Sequence, residues 1–156
     1  MKVLMVCLGN ICRSPIAEGV LASKCKEIGL DWVVDSAGTN GYHNGEKPHP
    51  MSQSVAQLNG IDISTQRSRV FKKEDMDEFD LIIPMASDVM RDMQYISGKK
   101  YKPEKVQLLL NYSFPSSNMD VPDPWSKSIG AYHEVYGLIE DACNKLIQFH
   151  TSTKQH

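Results

Sequence analysis

Cys7 and Arg13 stand six positions apart in the run Val6-Cys7-Leu8-Gly9-Asn10-Ile11-Cys12-Arg13-Ser14-Pro15, and those residue types at that spacing suit one chemistry. A thiolate can attack phosphorus while backbone N–H groups and a guanidinium hold the phosphoryl oxygens. A free thiol is only slightly ionised at neutral pH, so a nucleophilic cysteine needs an electropositive setting. The run offers successive loop amides, a helix N-terminus and Arg13. Gly9 permits a tight turn, and Asn10 tolerates the left-handed conformation that re-aims N–H groups inward. Arg13 matches two phosphoryl oxygens at once, which lysine cannot do. The Ser14 hydroxyl is placed to bond the Cys7 sulfur and improve it as a leaving group, and it also reads as a helix cap. Cys-x5-Arg alone occurs by chance, and a strand-end cysteine is commonly just buried. The glycine turn and the Ser-Pro helix start give the spacing its weight.

These side chains must be positioned by strands and helices that the pattern also predicts. Lys2 to Cys7 is a short apolar run that reads as a buried strand. Ser14 and Pro15 read as cap and first helical residue, with Ala17, Val20, Leu21, Cys25 and Ile28 at helical spacing and Gly29 as terminator. Trp32 to Ser36 reads as a second strand that enters the turn-rich segment Gly38 to Pro50. Met51 to Asn59 reads as a helix closed by Gly60, and Glu74 to Phe79 as a short helical piece. Asp80 to Met85 is the third expected strand, Ser87 to Ile96 a helix capped by Ser87, and Val106 to Leu110 the fourth strand. The last helix carries Ile129, Tyr132, Tyr136, Ile139, Cys143, Leu146 and Ile147 on one apolar face. Strands alternating with helices predict an α/β sandwich with a mostly parallel sheet. Ligands of such sheets sit beyond the carboxyl ends of strands, where Cys7 falls.

With 156 residues, 41% hydrophobic and 23% charged, the chain fits a single globular domain spanning 1–156, its last few residues a flexible tail. A net charge of −2 gives no reason to expect a nucleic-acid or membrane partner. No apolar run reaches 18 residues. The run Val3 to Leu8 is too short for a signal peptide, so the cytoplasm is the expected compartment. The four cysteines, Cys7, Cys12, Cys25 and Cys143, do not form a disulfide framework, and the five histidines show no zinc spacing with them. No metal or other cofactor is expected, and the simplest expectation is a monomer. Cys25 and Cys143 fall on apolar helix faces and read as core.

The run Cys7-Leu8-Gly9-Asn10-Ile11-Cys12-Arg13-Ser14-Pro15 resembles the signature of the low-molecular-weight protein tyrosine phosphatases. The resemblance extends through Asp35-Ser36-Ala37-Gly38-Thr39 and Asp123-Pro124-Trp125 and covers essentially the whole chain. It implies a single-domain three-layer sandwich whose four-stranded parallel sheet, flanked by helices, has the flavodoxin-like order 2-1-3-4. It implies hydrolysis of phosphotyrosine and small aryl phosphates through a phosphocysteine intermediate. Cys7 is then the nucleophile, and Leu8, Gly9, Asn10, Ile11 and Cys12 form the phosphate-binding loop with Arg13. Asp123, stiffened between Pro122 and Pro124, is the acid and later the base, as an alkoxide or phenoxide leaving group requires. Tyr42 and Trp125 resemble the family's aromatic pocket walls, and Cys12 the neighbour that can form a protective disulfide with Cys7. The implied partners are phosphotyrosine proteins, with inorganic phosphate or other oxyanions in the loop.

Some positions depart from the family pattern. Ala86 and Val89 stand where aspartate and asparagine are common, and Gln66 where some members carry histidine. His49 and Met51 fill positions often held by aspartate and arginine, and Ser126 replaces a second aromatic residue. Three other functions share features with this reading. Arginine phosphatases carry a threonine at a position resembling Ile11, and isoleucine suits an aryl ring better than a guanidinium. Arsenate reductases of similar fold need two further cysteines near the segment after the third strand, and residues 80–100 contain none. A non-catalytic phosphate-binding module is opposed by the intact Cys7, Arg13 and Asp123.

Overall fold

The computed structural model describes residues 1–152; the flexible tail expected at the end of the chain falls outside them. Strand β1 (Lys2–Cys7) lies at the centre of a parallel sheet, with β2 (Val33–Gly38) on one side and β3 (Leu81–Pro84) on the other. The register sets Cys7 beside Gly38 and Val6 beside Pro84. The side chains of β1 alternate between two cores, the period-two consequence of extended backbone. Val3, Met5 and Cys7 join the core formed with α1 (Arg13–Glu27) and α5 (Ile129–Ser152). Leu4 and Val6 join a smaller one with α3 (Asp75–Glu78) and α4 (Ser87–Ser97). Helix α2 (Pro50–Leu58) packs on α1 and α5. Both faces of the sheet are thus covered, and the α/β three-layer expectation holds.

The sheet has three strands among the described residues, where four are expected from the sequence. The difference lies in Val106 to Leu110. Val106 makes one parallel bridge to Ile82, and the Gln107 N–H donates to the Ile82 carbonyl at 3.2 Å. The Gln107 side chain then accepts from the Leu108 N–H at 3.1 Å, and the chain curls into a 3-10 turn over Leu109–Asn111. Leu108, Leu109 and Leu110 are buried all the same. A short apolar run has the same period-free look as strand or as turn, which is why the pattern misleads here. The single bridge keeps the place of a fourth strand beside β3, in the expected order.

Helix beginnings differ too. Helix α1 starts at Arg13 with Cys12 in the cap position and no side-chain cap, so Ser14 is already inside the helix. Ser87 likewise lies within α4; its N–H and hydroxyl both donate to Asp120 Oδ1, at 2.8 and 3.1 Å, and that carboxylate takes the capping role. Ile28 and Ile129, expected on apolar helix faces, are 60% and 42% exposed. Ile28 sits beyond the end of α1, where Gly29 takes a φ of 74° and turns the chain. Cys25 and Cys143 are buried in the core, as the pattern predicts.

Candidate active site

The loop Leu8–Cys12 joins the carboxyl end of β1 to α1, and three of its carbonyls are engaged by neighbouring segments. The Cys7 and Leu8 carbonyls accept from the N–H groups of Thr39 and Asn40, each at 3.0 Å. The Ile11 carbonyl accepts from the His49 N–H at 2.8 Å, and the Cys12 carbonyl from the Ser52 hydroxyl at 3.2 Å. These bonds tie the two ends of the loop to the residues that follow β2 and to the start of α2. Only glycine fits beside it at position 38, where a Cβ would lie 2.6 Å from the Leu8 carbonyl oxygen.

Asn10 has a φ of 58° and is 2% exposed, and its side chain locks the turn. Its Oδ1 accepts from the Arg69 N–H at 3.0 Å, which identifies the other end of the amide as the donor. Nδ2 donates to Ser14 Oγ at 2.8 Å and to Ser36 Oγ at 2.9 Å. Ser14 Oγ lies 3.0 Å from Cys7 Sγ. Because Asn10 already donates to that oxygen, the Ser14 proton is free to point at the sulfur. The Ser36 hydroxyl in turn donates to Glu18 Oε1 at 2.6 Å. Burial pushes the Glu18 carboxyl up to about 7, with Asp35 adding to the rise and Ser36 and Arg69 opposing it. Of the two roles the sequence suggests for Ser14, the structure shows the contact with the Cys7 sulfur and not the helix cap.

Arg13 is 4% exposed. Its Nη1 donates to the Val121 carbonyl at 2.9 Å, and its Nη2 lies 3.9 Å from Asp123 Oδ2. The Val121 N–H in turn donates to the Met85 carbonyl at 2.8 Å, so the loop bearing Asp123 is tied to the end of β3. Asp123 Oδ1 accepts from the Trp125 N–H at 3.1 Å. Two residues after the carboxylate, the indole therefore shares its loop geometry.

One pocket gathers Cys7, the loop residues Leu8, Gly9, Ile11 and Cys12, Arg13, Asp123, Tyr42 and Trp125. Asn10 and Ser14 stand behind it as supports. Asn40 and His43 also line the pocket, though neither was picked out from sequence. His43 approaches Gly9 so closely that a Cβ there would come within 3.0 Å of its ring. Ser36, Glu18 and Arg69 were missed as well. Glu18 had a readable signal, since it follows Ser14 by four residues and so shares its helix face. Cys12 is buried with its sulfur 3.5 Å from the Tyr132 hydroxyl, and burial above all pushes its thiol up to about 11. Among the described residues, no group of three or more His, Cys, Asp or Glu side chains is placed to hold a metal ion. No helix among them is long and apolar enough to cross a membrane.

Comparison with known proteins points the same way as this geometry. The family model for low molecular weight phosphotyrosine protein phosphatase matches residues 2–156. The low molecular weight protein-tyrosine-phosphatase YfkJ of Bacillus subtilis is 36% identical over 156 residues, covering 99% of this chain and 98% of its own. The crystal structure of a protein tyrosine phosphatase from Entamoeba histolytica, with Hepes in its active site, superposes with a TM-score of 0.90 at 33% identity over 99% of each chain. The YwlE arginine phosphatase, solved as a mutant with a phosphorylated active site serine, has a TM-score of 0.86 at 28% identity over 95% of this chain and 94% of its own. A matching model over nearly every residue, with a close relative of equal length, makes this chain a member of the low molecular weight phosphotyrosine protein phosphatase family.

Proposed function

We propose that this chain hydrolyses phosphotyrosine in proteins, and small aryl phosphates, through a phosphocysteine intermediate. The observation that carries the reading is the convergence of Cys7, Arg13 and Asp123 with two aromatic rings in one pocket. The Cys7 thiolate attacks phosphorus in line with the ester oxygen, with the loop amides and Arg13 holding the equatorial oxygens. As the P–O bond breaks, Asp123 gives its proton to the departing phenolate. Asp123 then takes a proton from water, whose oxygen attacks phosphorus and releases inorganic phosphate and the thiolate. The Ser14 hydroxyl, aimed at Sγ, stabilises the sulfur each time it carries negative charge. The phosphorylated serine of the YwlE structure supports transfer to the residue at this position. The steps use only side chains and water, so no cofactor enters.

The pocket encloses about 160 Å³, close to the space that holds one benzene ring. Tyr42 and Trp125 flank it, and Ile11 adds apolar surface rather than a partner for a guanidinium. These features favour tyrosine phosphate over the phosphoarginine suggested by the likeness to YwlE. We read the protein as one domain over 1–156, acting as a monomer in the cytoplasm on phosphotyrosine proteins. Cys12 is its redox guard: once a peroxide has oxidised Cys7 to a sulfenic acid, the Cys12 thiol condenses with it to a disulfide and water.

A panel of phosphotyrosine, phosphoarginine and phosphoserine peptides tests the substrate class, with tyrosine phosphate expected to be turned over fastest. Cys7→Ser is expected to lose on the order of 10⁵-fold in turnover while still binding vanadate. Substantial residual turnover there would sink the covalent route. Asp123→Ala is expected to lose about 10²–10⁴-fold on phenyl phosphate and far less on p-nitrophenyl phosphate, whose leaving group needs no proton. An equal loss on both would remove Asp123 as the acid.

A further inference from the structure

We propose that His49 is a positioning residue for the aryl pocket, its unprotonated ring clamping Trp125 beside the phosphate loop. The proposal rests on the reading of Trp125 as a pocket wall. Trp125 is 47% exposed and sits on an irregular loop, so it needs an external hold. His49 supplies one from three directions. Its backbone N–H donates to the Ile11 carbonyl of the phosphate loop at 2.8 Å. Its Nδ1 accepts the Met51 N–H at 3.1 Å and so caps α2. Its ring stacks on the fully buried Tyr132 (centroids 5.3 Å apart, planes 23° apart) and meets Trp125 edge-on at 5.5 Å and 80°. A buried tyrosine thus braces an imidazole that braces the indole, and the backbone N–H of the same Trp125 holds Asp123.

The clamp works in one protonation state. A backbone N–H can only donate, so Nδ1 must be bare and the neutral ring carries its proton on Nε2. A second proton sets donor against donor at Met51; the ring must turn, and Trp125 loses its brace. Burial, helped by His43, holds the His49 pKa below its ordinary value, which keeps the clamp closed at neutral pH. The groups around it come from every packed element. His43, bonded to Glu46, lies against Trp125 with ring centroids 5.4 Å apart. Lys47 and Arg67 line the same groove as His49. Asp123 lies beside Trp125 and would favour an added positive charge. Tyr132 from α5 and Cys12 beneath it are both raised by burial and stay neutral through mild acid.

Binding of benzylsulfonate, whose charge is fixed between pH 5 and 8, tests the clamp on the full chain, with sulfate reporting the loop alone. Relative to sulfate, the parent protein is expected to bind benzylsulfonate about twofold more weakly at pH 5.5 than at pH 7.5, the lowered His49 pKa limiting how much of the ring is protonated there. His49→Asn keeps an acceptor for Met51 but no ring, and His49→Phe keeps a ring but no acceptor. Both are expected to show the weaker binding already at pH 7.5, with no further loss at pH 5.5 and with sulfate binding intact. A flat parent profile overturns the clamp, as does a pH response that survives in both variants, which assigns it to His43. Trp125→Ala separates the two readings. If it leaves benzylsulfonate affinity unchanged, the wall and the clamp fail together. If it weakens binding and neither His49 variant does, the wall stands and the clamp alone fails.

Discussion

At the floor of the pocket Asn10, Ser14 and Ser36 are at most 4% exposed and bonded to one another, whereas at the rim Tyr42 is 87% and Trp125 47% exposed. The floor is held by hydrogen bonds that begin at Glu18 and end at the Cys7 sulfur. The rim is held by ring contacts among Trp125, His43 and His49 and by two Asx-type bonds, Tyr42 N–H to Asn40 and Trp125 N–H to Asp123. Buried polar chains have few alternative geometries, because any broken link leaves an unpaired group in low dielectric. Ring contacts at an open surface have many. The floor thus suits a reaction common to phosphate monoesters, and the rim suits a choice among them.

The largest break in this contrast is expected at Asn10. Asn10→Ala leaves Ser14, Ser36 and the Arg69 N–H short of a partner and puts alanine at a positive φ. A loss of about 2–4 kcal/mol in stability and about 10²-fold in turnover is expected from urea unfolding and steady-state kinetics. Asn10→Gly should recover about 1 kcal/mol of that stability without recovering turnover, since it relieves the backbone and not the serine. A glycine variant with full turnover would show that the loop's shape, not its bonding, aims the thiol.

A smaller effect is expected at the far end of the same chain. The fold raises the Glu18 carboxyl from its ordinary 4.5 to about 7, so the fold favours the protonated acid. Its contribution is therefore full below pH 4.5 and is lost as the pH rises through 7. Glu18→Gln keeps an acceptor for Ser36 and cannot ionise. It is expected to match the parent near pH 4 and to exceed it by about 1–3 kcal/mol at pH 8. Urea midpoints that shift in parallel at both pH values would remove Glu18 as the source. The rim gives the smallest change. Tyr42→Ala is expected to raise KM for an aryl phosphate about threefold to tenfold, with kcat and stability nearly unchanged; a loss in kcat instead would place Tyr42 with the floor.

Legibility in the sequence follows the same division. Cys7 and Arg13 were readable because their chemistry restricts residue type and spacing together, and the strand and helix around them carried clear periodicity; Asp123, on an irregular loop, was readable only through the family resemblance. Ser14 was recognised for the right contact and the wrong local role, since a serine before proline looks like a cap wherever the helix begins. The links through Ser36 and Glu18 were hidden because polar partners separated by 18 to 26 positions leave no periodic trace. Residues 106–110 were misjudged for the opposite reason: burial preserved the apolar run while the backbone abandoned the sheet. His49 stood out only as a departure from the family pattern, and its meaning needed the rings on either side.

Gly38 bears on how such a protein can change over generations. A side chain there would strike the Leu8 carbonyl at 2.6 Å, while at Gly41, a turn later, it would meet only the Val70 side chain at 3.4 Å. The strand beside Cys7 and the loop after it are therefore inherited as one unit. Drift is open to the segment that carries Tyr42 and closed one step before it, so descendants can trade substrates without renegotiating the place where phosphorus sits.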